Sequence, residues 1–201
     1  MKKNFIIALI FFITGIFLLH SFGKTEEESA RKSLSKYAIR FHVLANSDSL
    51  KDQQMKMKVK EHVIDYIYKG TRNYHTREEV QRFLANHNQN ILDIASQAVR
   101  LDGCDYHVTS SFGEQDFPEK QYGDVVFPKG TYVSYTLSIG KGNGHNWWCV
   151  LYPPLCFVDA SCGIVPDDSK KQLRNSLSEQ EYHSIIRYRF KYLTFLNKYL
   201  D

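Results

Sequence analysis

The spacing of the apolar residues changes at Gly103, and this change constrains the fold more than any other feature of the sequence. Before Gly103, apolar residues recur every three or four positions, which is typical of helices that pack on a core. The clearest run follows Thr76 and Glu79, which have the spacing of a capping box. Its members are Val80, Phe83, Leu84, His87, Ile91, Ile94, Ala95 and Ala98. After Gly103 the period is two, which is typical of strands.

The order of these segments indicates the fold class. A strand at 39–45 precedes two helices, which start at Ser49 and Thr76, and three strands follow at 104–112, 131–139 and 147–152. Helices grouped apart from strands are typical of α+β domains. The sequence therefore predicts a two-layer α+β sandwich, ordered strand–helix–helix–three-stranded antiparallel meander, plus a C-terminal helix.

The C-terminal helix is predicted after Ser178 and Glu181, behind a connection at 167–175 that looks exposed. Its many Arg, Lys and Tyr residues are compatible with a helix that lies on a membrane surface or on a partner protein. Ordinary packing on the domain explains the same spacing, and it is the favoured interpretation.

The N-terminus predicts export. Two lysines precede an apolar run at 5–19, which is shorter than the roughly 20 residues of a membrane-spanning helix and fits a secretory signal. Small residues at 21 and 23 favour cleavage between Gly23 and Lys24; an uncleaved signal anchor is the alternative. The predicted parts are a signal peptide (1–23), a polar linker or frayed helix (24–38), the α+β domain (39–165) and a C-terminal connection and helix (166–201).

Charge argues against one class of partner. Removing Lys2 and Lys3 with the signal lowers the basic residues from 26 to 24, against 22 acidic residues. A chain so nearly balanced lacks the basic surface that nucleic-acid binding requires. We therefore predict no nucleic-acid partner.

The four cysteines are interpreted in the light of export, because exported proteins meet an oxidising environment. Three pairings are possible among Cys104, Cys149, Cys156 and Cys162. We favour Cys149 with Cys156, since the intervening Pro153-Pro154 could fold the chain back, and this leaves Cys104 with Cys162. Free thiols or a zinc site are the alternatives, but the chain has no C-x-x-C pair of zinc ligands. No metal or cofactor is predicted.

Residues 144–159 (GHNWWCVLYPPLCFVD) hold the candidate partner-binding residues. Neighbouring Trp147 and Trp148 in a strand must point to opposite faces, so one can enter the core while the other lies on the outer face. Aromatic residues fixed on a rigid surface are typical of protein-binding hot spots. We therefore predict a binding surface at His145, Asn146, Trp147 and Trp148. In the alternative, the loop that contains Phe117 and Phe127 covers the outer tryptophan.

A cysteine hydrolase is the second function that this stretch could support, with Cys149, His145 and Asp159 as a Cys-His-Asp set. Reactive cysteines of papain-like enzymes lie at helix N-termini, which lower the thiol pKa. Cys149 falls inside a predicted strand instead. An exported thiol with neighbouring cysteines would also oxidise. A secreted cysteine hydrolase acting on cell wall or peptide therefore stays the runner-up.

Four segments together resemble the stage II sporulation protein R family of endospore-forming Firmicutes. They are RFHVLANSDSLKDQ (40–53), FPEKQYG (117–123), FPKGTY (127–132) and GKGNGHNWWCVLYPPLCFVD (140–159). Leu50 stands where the family often has proline, and the tail after Cys162 matches no family segment.

The resemblance implies a signalling protein and not an enzyme. Proteins of that family are exported from the forespore into the space between forespore and mother cell. There they are thought to activate a membrane-embedded aspartic protease of the mother cell, which removes the pro-sequence of the transcription factor sigma E.

Overall fold

The computed structural model describes residues 27–156 and 165–186, together with Thr14. Its helices are α1 (27–37), α2 (Leu50–Thr71), α3 (Arg77–Asn86), α4 (Asn88–Leu101), α5 (Asp167–Ser176) and α6 (Glu179–Ile185). Its strands are β1 (Ile39–Leu44), β2 (Val108–Phe117), β3 (Lys120–Tyr122), β4 (Val125–Phe127), β5 (Gly130–Ile139) and β6 (Asn146–Tyr152). The predicted α+β class is confirmed.

The main sheet has the strand order β2-β5-β1-β6, and β3 and β4 form a separate hairpin. β1 runs parallel to β5 and antiparallel to β6. The predicted meander of the last three strands is therefore wrong at one step, because β1 lies between β5 and β6. The physical reason is that β1 is buried along nearly its whole length. A central position gives its backbone hydrogen-bond partners on both edges, which buried backbone requires.

Helices α2 to α4 cover one face of the sheet. Their predicted starts are confirmed: the Ser49 hydroxyl accepts a hydrogen bond from the Asp52 backbone, and Thr76 with Glu79 forms a capping box. The single helix predicted after Thr76 is divided at His87, whose ring stacks on Phe83 at 4.1 Å. The apolar spacing continues across this break, so spacing alone could not reveal it.

Two cores lie on opposite faces of the sheet. Ile39, Phe41 and Val43 of β1 belong to the first core, with residues of α2 to α4. The second core is built by α1, the β3–β4 hairpin, α5 and α6. The predicted two-layer arrangement accounts only for the first face, because helices cover the second face as well.

The described ends of the chain contact each other on the second face. Within the segment predicted as a polar linker or frayed helix, α1 buries Ala30 and Leu34. The Ser29 and Ser33 hydroxyls donate to Glu181 of α6 at 2.7 and 2.8 Å. The Ser29 bond is the largest of several hydrogen bonds, followed by the one from the Ser178 backbone N–H, that lower the pKa of Glu181 to about 2. The described part of this segment is thus a packed helix.

The C-terminal region differs from its prediction at one place. The connection at 167–175 is the helix α5, which the sequence hides because only Ser169 and Leu173 of its ten residues are buried. The capping box of Ser178 and Glu181 is present at the start of α6. Residues 187–201, the remainder of the predicted C-terminal helix, lie outside the described residues.

The predicted signal peptide also lies outside the described residues, apart from Thr14, as does the predicted cleavage site at Gly23 and Lys24. Within 27–156 and 165–186, no helix combines the length and the apolar character that crossing a bilayer requires.

Candidate functional site

The turn between β5 and β6 packs directly on the loop between β1 and α2. Gly140 and Gly142 adopt positive φ values of 59° and 64°, which favour glycine. At Gly144 a Cβ atom would lie 2.3 Å from the Ser47 carbonyl oxygen, so only glycine fits. The Gly144 backbone N–H donates to Ala45 at 2.9 Å. We call residues 45–49 and 140–146 the loop cluster.

A buried carboxylate holds the first half of the loop cluster. Asp52 accepts hydrogen bonds from the Ser47 hydroxyl at 2.6 Å and the Asn46 amide at 2.9 Å. These bonds, Ser47 first, keep the pKa of Asp52 below its usual value. The Asn46 side-chain oxygen in turn accepts from the Lys141 backbone at 3.0 Å. One carboxylate thus fixes both loops.

His145 is the most accessible side chain of the predicted binding surface, with 82% of it exposed. Its ring Nδ1 lies 2.5 Å from Asp48 Oδ1, and its backbone N–H donates to the same oxygen at 2.6 Å. The backbone bond contributes most to lowering the pKa of Asp48. Lys56 Nζ donates to the His145 carbonyl oxygen at 2.8 Å. The imidazole is therefore held by its neighbours while its outer edge faces solvent.

The two tryptophans point to opposite faces of the sheet, as their adjacency requires. Trp147 packs edge-on against Phe41 at 6.2 Å on the first face, and Lys60 lies 5.1 Å from its ring. Trp148 lies on the second face, and both rings are half-buried. Asn146, the first residue of β6, is half-buried as well.

Trp148 stacks on a buried histidine. Its ring is 4.8 Å from that of His42, with 3° between the planes, and Phe117 packs edge-on at 4.8 Å. Burial is the main reason that the pKa of His42 falls to about 4. Phe117, which ends β2 and does not lie in the predicted loop, thus covers part of Trp148, while part of the ring remains accessible.

The cysteine at the centre of this stretch is bonded. Cys149 pairs with Cys156 at a Cα separation of 5.3 Å, which confirms the favoured pairing. Because this buried sulfur is bonded to that of Cys156, it is not available as a thiolate in this structure. Asp159 and Cys162 lie outside the described residues, within which Cys104 has no disulfide partner. No cluster of metal-ligating side chains occurs within the described ranges.

A second feature, a cage around Arg40, was not predicted from the sequence. The Arg40 side chain is fully buried, and its guanidinium lies 4.4–5.7 Å from four aromatic rings. The rings are those of Phe117, Tyr122, Phe127 and Tyr132.

The bonding of this guanidinium is incomplete. Arg40 donates one hydrogen bond, from Nη2 to the Tyr122 hydroxyl at 3.1 Å. Among the described residues its Nε and Nη1 have no partner. Burial lowers the pKa of Arg40 from its ordinary value. The only sign of this cage in the sequence is a charged residue within a predicted strand whose other residues are mostly apolar.

Comparison with known proteins matches the part of the chain that contains these residues. The family model described as Stage II sporulation protein R matches residues 35–162, well over half of the chain. The chain belongs to this family. A member from Bacillus subtilis (strain 168), also called stage II sporulation protein R, is 36% identical over 190 residues, covering 90% of this chain and 83% of that protein. No solved structure matches this chain.

The family match places both features inside the part of the chain that defines the family. The loop cluster and the aromatic cage both lie within residues 35–162. α5 and α6 lie beyond the matched range, although the match to the Bacillus subtilis protein covers most of the chain.

Proposed function

We propose that this chain is an exported sporulation signal, which activates a membrane-embedded aspartic protease of the mother cell and so triggers removal of the pro-sequence of sigma E. Membership of the stage II sporulation protein R family is the observation that carries the proposal. The proposed route is secretion from the forespore into the space between forespore and mother cell, with cleavage between Gly23 and Lys24.

The proposed contact with the protease is the surface formed by His145, Asn146, Trp147 and Trp148. Three properties support it: an exposed imidazole, two half-buried indole rings, and a backbone fixed by the loop cluster. Rigid aromatic groups lose little entropy on binding, which is why such groups dominate hot spots.

The cysteine hydrolase has no observation in its favour. Cys149 is disulfide-bonded, and His145 is held by Asp48 at the exposed loop cluster. A nucleophile and its base must be within hydrogen-bond reach of each other. We therefore keep signalling as the single proposed function.

The decisive experiment reconstitutes the proposed pathway in a host that does not sporulate. The full chain is expressed with the membrane protease and the sigma E precursor, and cleavage of the precursor is followed by immunoblotting. We expect cleavage only when all three proteins are present. Precursor that stays intact despite folded, exported chain would refute the proposal.

The contact surface is tested by single substitutions in the same assay. His145→Ala should reduce cleavage without changing the thermal unfolding midpoint, since the imidazole is exposed. His62→Ala, which removes another exposed histidine, on α2, is the matched control and should leave cleavage unchanged.

Trp147→Ala and Trp148→Ala remove candidate anchor residues, for which truncation typically costs about 2 kcal/mol or more of binding. Both rings also contact the cores, so thermal unfolding is measured alongside. We expect at least one of the two variants to lose more cleavage than its loss of folded protein explains. If all losses follow unfolding, and His145→Ala has no effect, the contact surface lies elsewhere.

A further inference from the structure

The strand β2 forms an open edge of the main sheet. It pairs with β5 at all ten of its residues without a register shift. Within the described residues, no backbone group of another segment pairs with its opposite side. Its sequence, VTSSFGEQDF, contains neither proline nor lysine, two residues that natural proteins use to block such edges. A regular edge of this length, without proline or a bulge and with charges only at Glu114 and Asp116, is a template for a further strand.

One large apolar residue, Phe112, lies exposed in the middle of this edge, beside a cavity. Phe112 is 41% exposed, although most phenylalanines avoid water. A cavity of about 320 Å³ opens next to it, lined by Leu84, Ala85 and Asn88 as well as Phe112 and Tyr135. Since a protein cavity of about 150 Å³ can hold benzene, this one has room for an aromatic side chain.

We propose that β2 pairs antiparallel with β2 of a second copy of this chain, across a two-fold axis at Phe112. The two four-stranded sheets would become one sheet of eight strands. With such an axis, each residue of β2 lies directly opposite a residue of the second copy, and the two side chains point to the same face of the sheet. Phe112 then lies directly opposite its own copy, close enough for each ring to reach the cavity of the other subunit.

The charges of β2 fit its own copy. In this register Glu114 faces Ser110 and Asp116 faces Val108, so each acidic residue meets an uncharged one. Like charges directly opposite each other would destabilise the pair, and none occur. On the other side of the sheet, Thr109 faces Gln115 and Ser111 faces Gly113, which are also uncharged. A second copy therefore fits this edge without a repulsive pair, and it alone brings with it both an exposed ring for each cavity and a cavity for each ring. The inference does not depend on the proposed function.

Disulfide cross-linking tests the axis. In Phe112→Cys the two introduced cysteines lie opposite each other. Directly opposite residues of antiparallel strands have the Cα separation of about 4.4–6.8 Å that disulfides need. We expect a covalent dimer on non-reducing gels of the full chain purified in mild detergent. Leu101→Cys, at an exposed residue of α4, controls for random collision, and the unsubstituted chain controls for the native cysteines.

A second pair of variants fixes the register without touching Phe112. Ser111→Cys and Gly113→Cys should each stay monomeric on the gel, but their mixture should give a heterodimer. Both sites are exposed, and a Cβ at Gly113 meets no atom within 4 Å, so neither change should disturb folding.

Sedimentation measures the association itself. Phe112→Glu places two carboxylates opposite each other and should raise the dimer dissociation constant about tenfold or more. Leu101→Glu, which also replaces an exposed apolar residue by glutamate but on α4, should leave the dissociation constant unchanged. A chain that stays monomeric at every concentration, or a mixture that does not cross-link, would overturn the proposal. So would cross-linking of Phe112→Cys to another protein instead of its own copy.

Discussion

The two faces of β1 differ in how their cores are assembled. On one face, Ile39, Phe41 and Val43 meet α2 to α4, which follow β1 directly in the chain. On the other face, Arg40 and His42 lie under groups from α1, the segment 117–132 and β6. The first core takes its helices from the segment that follows β1 and is almost wholly apolar, although residues of β2, β5 and β6 also contribute to it. The second is assembled from distant segments and contains a buried cation.

This difference teaches that one strand can obey two sets of rules. The first core follows from burial of apolar area, which is non-directional and requires only the correct spacing. The second depends on specific contacts between a guanidinium, an imidazole and aromatic rings, which have preferred geometries. The first face should therefore respond chiefly to lost volume, whereas the second should respond both to lost volume and to a change of charge, above all at His42.

The largest effect is expected from Phe41→Ala. Phe41 is fully buried and packs against Tyr135 and Trp147. Truncating a buried phenylalanine costs about 3–5 kcal/mol of unfolding free energy, through lost burial and the cavity left behind. Urea denaturation measures the loss, and Leu101→Ala, at an exposed apolar residue, serves as the control. A loss for Phe41→Ala as small as that of the control would contradict a volume-dependent first core.

The second largest effect is a dependence of stability on pH through His42. Its pKa in the folded state is about 4, below the ordinary 6.5, so the folded protein favours the neutral imidazole. The contribution of neutral His42 to the unfolding free energy is therefore fully present above pH 6.5, and it is lost as the pH falls towards 4. A shift of this size corresponds to about 3 kcal/mol.

Two variants isolate this contribution in unfolding experiments between pH 7 and 4. His42→Gln should flatten the decline, because glutamine does not titrate. His145→Gln, at the exposed histidine, should leave the decline as it is. The same pH dependence in His42→Gln and the unsubstituted protein would mean that other groups cause it.

The disulfide has the next largest effect. Cys149 and Cys156 are separated by seven positions, so their bond closes a loop of about eight residues. The chain-entropy model gives a stabilisation of about 2.5 kcal/mol for this loop. The double variant Cys149→Ala and Cys156→Ala should lose this amount and retain signalling in proportion to its folded fraction; Cys104→Ala is the control. Loss of all signalling in a folded double variant would instead revive the hydrolase.

The sequence predicted those parts of the fold that depend on local patterns. The capping residues Ser49 and Thr76 and the apolar spacing behind them located α2 to α4, and the proline pair located the end of β6. The position of β1 was missed because parallel pairing with β5 joins segments about 90 residues apart in the chain, and nothing in either segment marks the other as its neighbour.

The candidate site, too, could be predicted from the sequence only where it depends on a short, local stretch. The exposed His145 and the bonded Cys149 could be anticipated from a short stretch of sequence. The Arg40 cage could not, because its rings come from β2, β3, β4 and β5 and follow no period. A strand reading IRFHVL does signal that one face must accept Arg40 and His42, but not which groups would cover them.

The smallest effect is expected from Arg40→Met, and it tests the second face most directly. Methionine keeps most of the side-chain length but removes a charge that has no carboxylate partner among the described residues. The variant loses cation–π contacts, but it also avoids the cost of burying a charge. These terms oppose each other, so unfolding free energy should change by about 1 kcal/mol or less.

Arg40→Ala, which also removes the volume, is the matched comparison and should cost clearly more, about 2 kcal/mol or above, because it leaves a cavity. Urea denaturation of the two variants separates charge from volume at one position. If Arg40→Met is as unstable as Arg40→Ala, the guanidinium itself holds the aromatic rings together. The second core would then depend on its cation as strictly as the first depends on Phe41.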